Sequence, residues 1–295
     1  YGSPPLDFRA SLERYGRGGT PIWWTEWGVT PTHFNEVSDA VFSGVFLLRG
    51  MASAMDRIEA LSYWVVSDHF EELGRPPELL HGGFGLRTVG ELRKPRWWAL
   101  ALLERLGSTR LPVSSSGDGA ESLVECLATR DAGGEVSVLA WNMTLDQTKA
   151  AGADALGRQV TVTFTGLTPG ASYTLGHDRV DEEHSNIAHV WESLRDGDQA
   201  WPTEEQWDRL READRLEALV RVELPDFRVA QRFLHESAQC IDGVRRRPLL
   251  EEHRVPVADL QTRNEARHRR QLGKRGLLLG GRYCQTAHAS RLLPG

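Results

Sequence analysis

The sequence predicts an α/β fold followed by an all-β one, and three observations carry that prediction. Between residues 21 and 107 an apolar run, a helical period, a second apolar run and a second helical period follow one another. This is βαβα, the unit of a parallel sheet or barrel. From about residue 120 the period changes to short alternating segments between Gly, Asp and Pro turns, the signature of an antiparallel β-domain. The charge also splits. Residues 221–295 carry 15 Lys and Arg against 8 Asp and Glu, while the first 220 carry 20 against 33 and hold all 10 tryptophans. An acidic, Trp-rich body is thus followed by a basic, Trp-free tail.

Taken in order, residues 6–17 alternate like a short amphipathic helix. PIWWTEW (21–27) reads as a buried strand with Pro21 at its entry. Residues 35–58 place Val37, Val41, Val45, Leu48, Met51 and Met55 at helical spacing, and ALSYWVVS (60–67) is again strand-like. DHFEELGRPPELLHGGFG is a long Gly- and Pro-rich loop. Pro95 then opens the helix PRWWALALLERLG, at the position where proline fits best, and Gly107 ends it. ESLVECLATR, EVSVLAWNM, RQVTVTFTGL and SYTLGHDRV supply the alternating strands. Thr203 and Gln206 form a capping-box pair before the helix TEEQWDRLREADRL. Beyond Leu219 the period fades, and the Arg-rich tail is expected to be disordered or misread. The expected domains are 1–110, 111–220 and the tail 221–295.

Several function classes are set aside. No window approaches 18 uncharged apolar residues, so no membrane span is expected. Three distant cysteines, Cys126, Cys240 and Cys284, fit neither a disulfide framework nor a zinc site. HGGFG lacks the GK[ST] ending of a phosphate loop and reads as a tight turn. Asp181, Glu182, Glu183 and His184 are consecutive and cannot all face one ion, so no metal and no cofactor is expected. The basic tail shows no folded nucleic-acid motif. Trp97 and Trp98 open a helix and read as packing. The chain begins YGSPPLDF, without Met and without a basic-then-apolar leader. It is therefore read as soluble, with the cytoplasm favoured over secretion, and as not starting where its gene starts.

The chemistry centres on Glu26, flanked by Trp23, Trp24 and Trp27. A carboxylate so placed is expected to lose water, at a cost of several kcal/mol unless paired. In a (β/α)8 barrel the working residues stand at the C-terminal ends of strands. Glu26 is near the end of its strand and Trp64 near the end of the next, with Asp68, Phe70, Glu71 and Glu72 on the following loop. Sequential parallel strands are usually neighbours, so these groups are expected to converge on one pocket. Aromatic walls and carboxylates suit sugar rings, and glycoside hydrolysis uses two such carboxyl groups. A structural glutamate paired with a buried Arg is the competing reading of Glu26, and a barrel-mouth hydrogen bonder that of Asp68.

TEWG, SYWVVSDHFEELGRPPELLHGGFGL and RKPRWWALALLERLG together resemble glycoside hydrolase family 39, the β-xylosidase and α-L-iduronidase family. RVDEEHSN and WPTEEQWDRLREAD continue the resemblance, which runs from about Pro4 to about Leu219. It implies the C-terminal part of a (β/α)8 barrel, strands seven and eight, followed by a β-sandwich. It implies a retaining β-xylosidase acting on xylo-oligosaccharides or another glycoside, with Glu26 as nucleophile. Trp64, Phe70, Glu71 and Glu72 would line the glycone subsite. The family's acid/base glutamate lies in an Asn-Glu-Pro motif, and this sequence has only Asn35-Glu36 and Asn264-Glu265, neither followed by proline. The first six barrel strands have no counterpart either, so the resemblance implies an enzyme's C-terminal portion. A sugar-binding remnant, an iduronidase-like hydrolase and a non-folding fragment are the alternatives.

Overall fold

The computed structural model describes residues 4–70, 74–168, 171–224, 231–232, 240–248, 258–263 and 290–291. Helix α1 (Pro4–Arg14) leads into strand β1 (Trp23–Trp27). Helix α2 (Val41–Ala54), strand β2 (Ala60–Tyr63) and helix α3 (Pro95–Glu104) follow. β1 and β2 pair in parallel, with Trp23 opposite Ala60 and Trp27 opposite Tyr63. Arg9 of α1 bonds the carbonyls of Gly18, Thr20 and Arg57, and so fixes the helix beside the start of this pair.

Two boundaries differ from expectation. The helical spacing from Asn35 is broken into a 3-10 turn, Glu36–Ser38, and then α2, because Asp39 between them is drawn into a buried ion cluster. β2 ends at Tyr63 and not at Ser67. Past Trp64 the chain keeps extended pairing against residues 84–87 instead, with Val65 N bonding Phe84 O at 3.3 Å and Leu86 N bonding Val65 O at 2.9 Å.

The β-rich part begins with β3 (Thr109–Leu111), β4 (Val113–Gly117), β5 (Val124–Arg130) and β6 (Val136–Asn142). It continues with β7 (Gln159–Phe164), β8 (Tyr173–Val180), α4 (Ile187–Leu194), α5 (Glu204–Ala213) and β9 (Glu217–Leu224). The expected capping box is formed at the start of α5: Thr203 N bonds Gln206 Oε1 at 2.8 Å and Gln206 N bonds Thr203 Oγ1 at 3.3 Å. The tail contributes β10 (Gln231–Arg232), β11 (Cys240–Pro248), β12 (Ala258–Arg263) and β13 (Ser290–Arg291).

The described strands form a seven-stranded sheet, β3-β5-β6-β11-β13-β8-β9, and a four-stranded one, β10-β7-β12-β4. β11 is antiparallel to both β6 and β8. Strands therefore occur beyond Leu219, where the sequence shows no sustained strand period. A strand with a partner on each side is held by its backbone ladder, which needs no alternating side-chain pattern.

One buried cluster joins Val41, Val45 and Leu48 of α2 and Trp98 and Leu102 of α3 to Leu127, Val138 and Trp141, and these in turn to Val160 and Val162 of β7. Every residue of β6 is buried, where alternation was expected. The helices cover one face of the large sheet and the small sheet the other, so neither face of β6 meets water. Arg49 of α2 lies 3.5 Å from Glu125 of β5, which accepts the Trp141 indole N–H at 3.0 Å. Burial pushes the nearby Cys126 thiol up to about 12, leaving it un-ionised and inert.

Candidate active site

β1 and β2 present two faces. Trp27 stacks on Phe46 of α2 with ring centroids 5.4 Å apart, and the Tyr63 hydroxyl meets Arg96 of α3 at 2.5 Å. Glu26 precedes Trp27 in β1, whose register against β2 shifts between Trp24 and Trp27, and Trp64 follows Tyr63, where β2 ends. The two are drawn level by the bond from Trp64 N to Trp27 O, 2.9 Å. The peptide bond after Trp64 is cis.

Glu26 is exposed, which corrects the expectation that its tryptophans would dry it. Trp27 is turned to α2, Trp24 packs edge-on against Phe8 of α1 at 6.1 Å, and Trp23 is 70% exposed. None of them covers the carboxylate, and β1 has β2 as its sole partner among the described strands.

The loops after the two strands meet beside Trp64. Phe70 lies edge-on to Trp64 with centroids 5.4 Å apart, and it stacks on His33 at 6.3 Å. His33, from the loop after β1, lies 4.2 Å from the ring of Phe84. A small pocket here is bounded by His33, Phe70, Pro76, His81 and Phe84, with Asp68 at its floor. Glu71 and Glu72 lie outside the described residues.

Beneath this wall is a buried ion cluster. Lys94 is fully buried, with its Nζ 2.5 Å from Asp39 and 2.6 Å from Asp68. The second oxygen of Asp39 accepts Gly82 N at 2.6 Å, and that of Asp68 accepts Gly85 N at 2.7 Å. The Gly83 carbonyl receives Lys94 Nζ at 3.2 Å and Arg96 at 2.5 Å, while Phe84 O receives the Tyr63 hydroxyl at 2.8 Å. HGGFG is thus clamped through its backbone. A side chain at Gly85 would put Cβ 2.2 Å from Asp68 N, so only glycine lets the loop come this close. Burial raises the Tyr63 pKa, against the opposing charge of Arg96. Asp68 is here a structural anchor of the pocket floor. Lys94 and Asp39 were not legible as a site, because their partners lie on three separate segments; the position of Lys94 just before the helix-opening Pro95 was the available signal.

Asp181, Glu182, Glu183 and His184 form a turn, and no cluster able to hold a metal occurs among the described residues. Asp181 accepts Glu183 N, His184 N and His184 Nδ1 at 2.9, 2.8 and 2.8 Å, with Arg179 3.7 Å from its other oxygen. Burial works to raise the Asp181 pKa, but the bond from His184 and the charge of Arg179 prevail and lower it. The same bond raises that of His184. Trp97 and Trp98 pack as expected, under Arg87 at 4.1 Å and Arg93 at 5.0 Å.

Residues 12–225 match the family described as glycosyl hydrolases family 39. The chain belongs to this family. Among curated proteins, the chain is similar to a β-xylosidase of Geobacillus stearothermophilus, 26% identical over 59% of this chain and 31% of its own length. A β-xylosidase of Caldicellulosiruptor saccharolyticus is 25% identical over 66% of this chain and 38% of its own. Among solved structures, a monomeric β-xylosidase from Caulobacter crescentus CB15 superposes with a TM-score of 0.67 at 23% identity, covering 82% of this chain and 48% of that one. The chain thus spans about a third of the length of these curated relatives and about half of the solved one. Among the described residues, no helix is long and apolar enough to cross a membrane.

Proposed function

We propose that this chain carries the nucleophile half of a retaining β-xylosidase. In this reading β1 and β2 are strands seven and eight of a (β/α)8 barrel, residues 1–110 are the end of that barrel, and 111–220 form a β-sandwich. What supports it is the position of Glu26 and Trp64 near the C-terminal ends of adjacent parallel strands, with Trp64 N bonded to Trp27 O at 2.9 Å.

Glu26 attacks the anomeric carbon of a terminal xylose, whose ring lies against Trp64 and Phe70, with Glu71 and Glu72 taking its hydroxyls. A second carboxyl group protonates the leaving oxygen, and then draws a proton from the water that resolves the glycosyl-enzyme. For retention it must stand roughly 5–5.5 Å from Glu26. Neither Asn-Glu pair of the sequence is followed by the family's proline, so the acid/base glutamate comes from a further segment of the protein. That segment would also remove the water that now surrounds Glu26, as the low-dielectric chemistry of such a step requires.

An activated 2-fluoro-xyloside tests this, because its leaving group departs without protonation. A glycosyl adduct mapped to Glu26 by mass spectrometry, and lost in Glu26→Ala, is the expected result. A folded chain with no adduct supports the second reading, a sugar-binding protein without turnover, which the exposure of Glu26 favours.

A further inference from the structure

Arg96 is fully buried in α3, and the proposed chemistry makes no use of its charge. Its two terminal nitrogens reach different segments. One donates to the Tyr63 hydroxyl at 2.5 Å and the other to the Gly83 carbonyl at 2.5 Å. The guanidinium also lies 5.7 Å from the centre of the Tyr63 ring. Burial, against the charge of Arg96, raises the Tyr63 pKa, so the phenol keeps its proton. That proton goes to the Phe84 carbonyl, 2.8 Å away, while the phenol oxygen accepts from Arg96.

The Phe84 carbonyl has a second donor, Val65 N at 3.3 Å. Tyr63 and Val65 are the chain neighbours of Trp64, so one carbonyl oxygen holds the chain on both sides of that residue. Trp64 N is itself bonded to Trp27 O. The Trp64 ring is half-buried and edge-on to Phe70. Its indole N–H has no hydrogen-bond partner among the described residues, so the ring stands where the backbone puts it. Strand β2, the HGGFG loop and α3 are thus tied at one point beside this ring.

We infer that Tyr63, braced by Arg96, is a positioning residue for Trp64. The role deepens the proposed glycosidase reading, in which a sugar ring lies against Trp64, and depends on it for the ligand. An indole takes the C–H face of a sugar only where the two surfaces meet. A displacement of about 1 Å is enough to weaken such a contact. Glu26 stands on β1, where its neighbour Trp27 is held independently by Phe46 and by the close approach of Gly50. Loss of the Tyr63 hydroxyl therefore acts on sugar affinity and leaves the attack by Glu26 alone.

The test titrates the chain with a xylose-configured iminosugar by calorimetry, and follows labelling of Glu26 by the 2-fluoro-xyloside at rising concentrations. In Tyr63→Phe the iminosugar binds about tenfold more weakly. The half-saturating concentration for labelling rises in step, while the saturated rate stays within about twofold. Arg96→Lys keeps the cation but cannot fork to both oxygens; it shifts affinity the same way, and carries the test should Tyr63→Phe not fold. Amide exchange needs no ligand: Trp64 and Val65 exchange faster in Tyr63→Phe, and the amides of α3 do not. Unchanged affinity, or a fall in the saturated rate alone, would overturn the inference. A chain that neither binds the iminosugar nor is labelled sinks the glycosidase reading. Exchange then decides the positioning role by itself: faster at Trp64 and Val65 supports it, and unchanged exchange overturns it.

Discussion

Replacing Lys94 by methionine would remove the buried cation that holds Asp39 and Asp68 together, leaving two carboxylates without solvent. Breaking a buried pair in this way costs about 3–5 kcal/mol. Lys94→Met is therefore predicted to lower the denaturation midpoint sharply, and to release the loop at Gly82–Gly85. An unchanged midpoint in urea would show that the cluster contributes no stability. His184 offers a pH-dependent counterpart. Its pKa is raised in the folded state, so its pairing with Asp181 stabilises fully below the ordinary value of 6.5 and is lost as pH rises through the raised one. Asp181 is lowered, so its share holds above 3.8 and fades as pH falls through the depressed value. A plot of melting temperature against pH should decline above about 6.5, and His184→Gln should flatten that decline. Equal slopes in both proteins would refute the linkage.

Helices α4 and α5 act on the site as elements. With Leu79 and Leu92 they bury Ile187, Trp191 and Leu210 in a cluster of their own, so the loop that ends in HGGFG rests on them. Leu79 N bonds Ala200 O at 3.0 Å, and Arg93 N bonds Asp214 at 3.0 Å. Thr203→Ala deletes half of the α5 capping box and is predicted to cost about 1 kcal/mol, read as a shift in denaturation midpoint without a change in slope. A loss indistinguishable from zero would mean that packing alone holds α5. This capping box, Pro95 of α3 and the strand PIWWTEW were legible because each follows a local rule. Ile187, Val190, Trp191 and Leu194 also stand at helical spacing, with Asn186 capping Ala188 N at 3.1 Å. The same local rule makes α4 legible in the sequence. β11 was not legible, because ladder partners on both sides fix it and its sequence carries no period. Nor was the wetness of Glu26, since a strand's residues do not say how many strands will flank it.

At the scale of the whole molecule, the β1–β2 pair is thinly covered among the described residues. Trp23, Phe34 and Val66 are 70, 49 and 60% exposed around it, and β1 has an unpaired edge among the described strands. Open edges and apolar patches promote association. Sedimentation velocity should therefore show self-association that grows with concentration and is reduced in Trp23→Lys; a monomer at every concentration would contradict this. The seven-stranded sheet has a different weakness, one of timing. β6 and β8 have β11 between them, and β11 begins only at Cys240. Synthesis delivers both flanks well before the strand that joins them. Such distant pairing is slow, since loop closure must precede the contacts that reward it. The amides of β6 and β8 that face β11 should acquire exchange protection late and together, after α3 and the amides paired in the β5–β6 ladder. Early protection of the β11-facing amides of β8 in a chain ending at residue 224 would show that the sheet closes without its central strand.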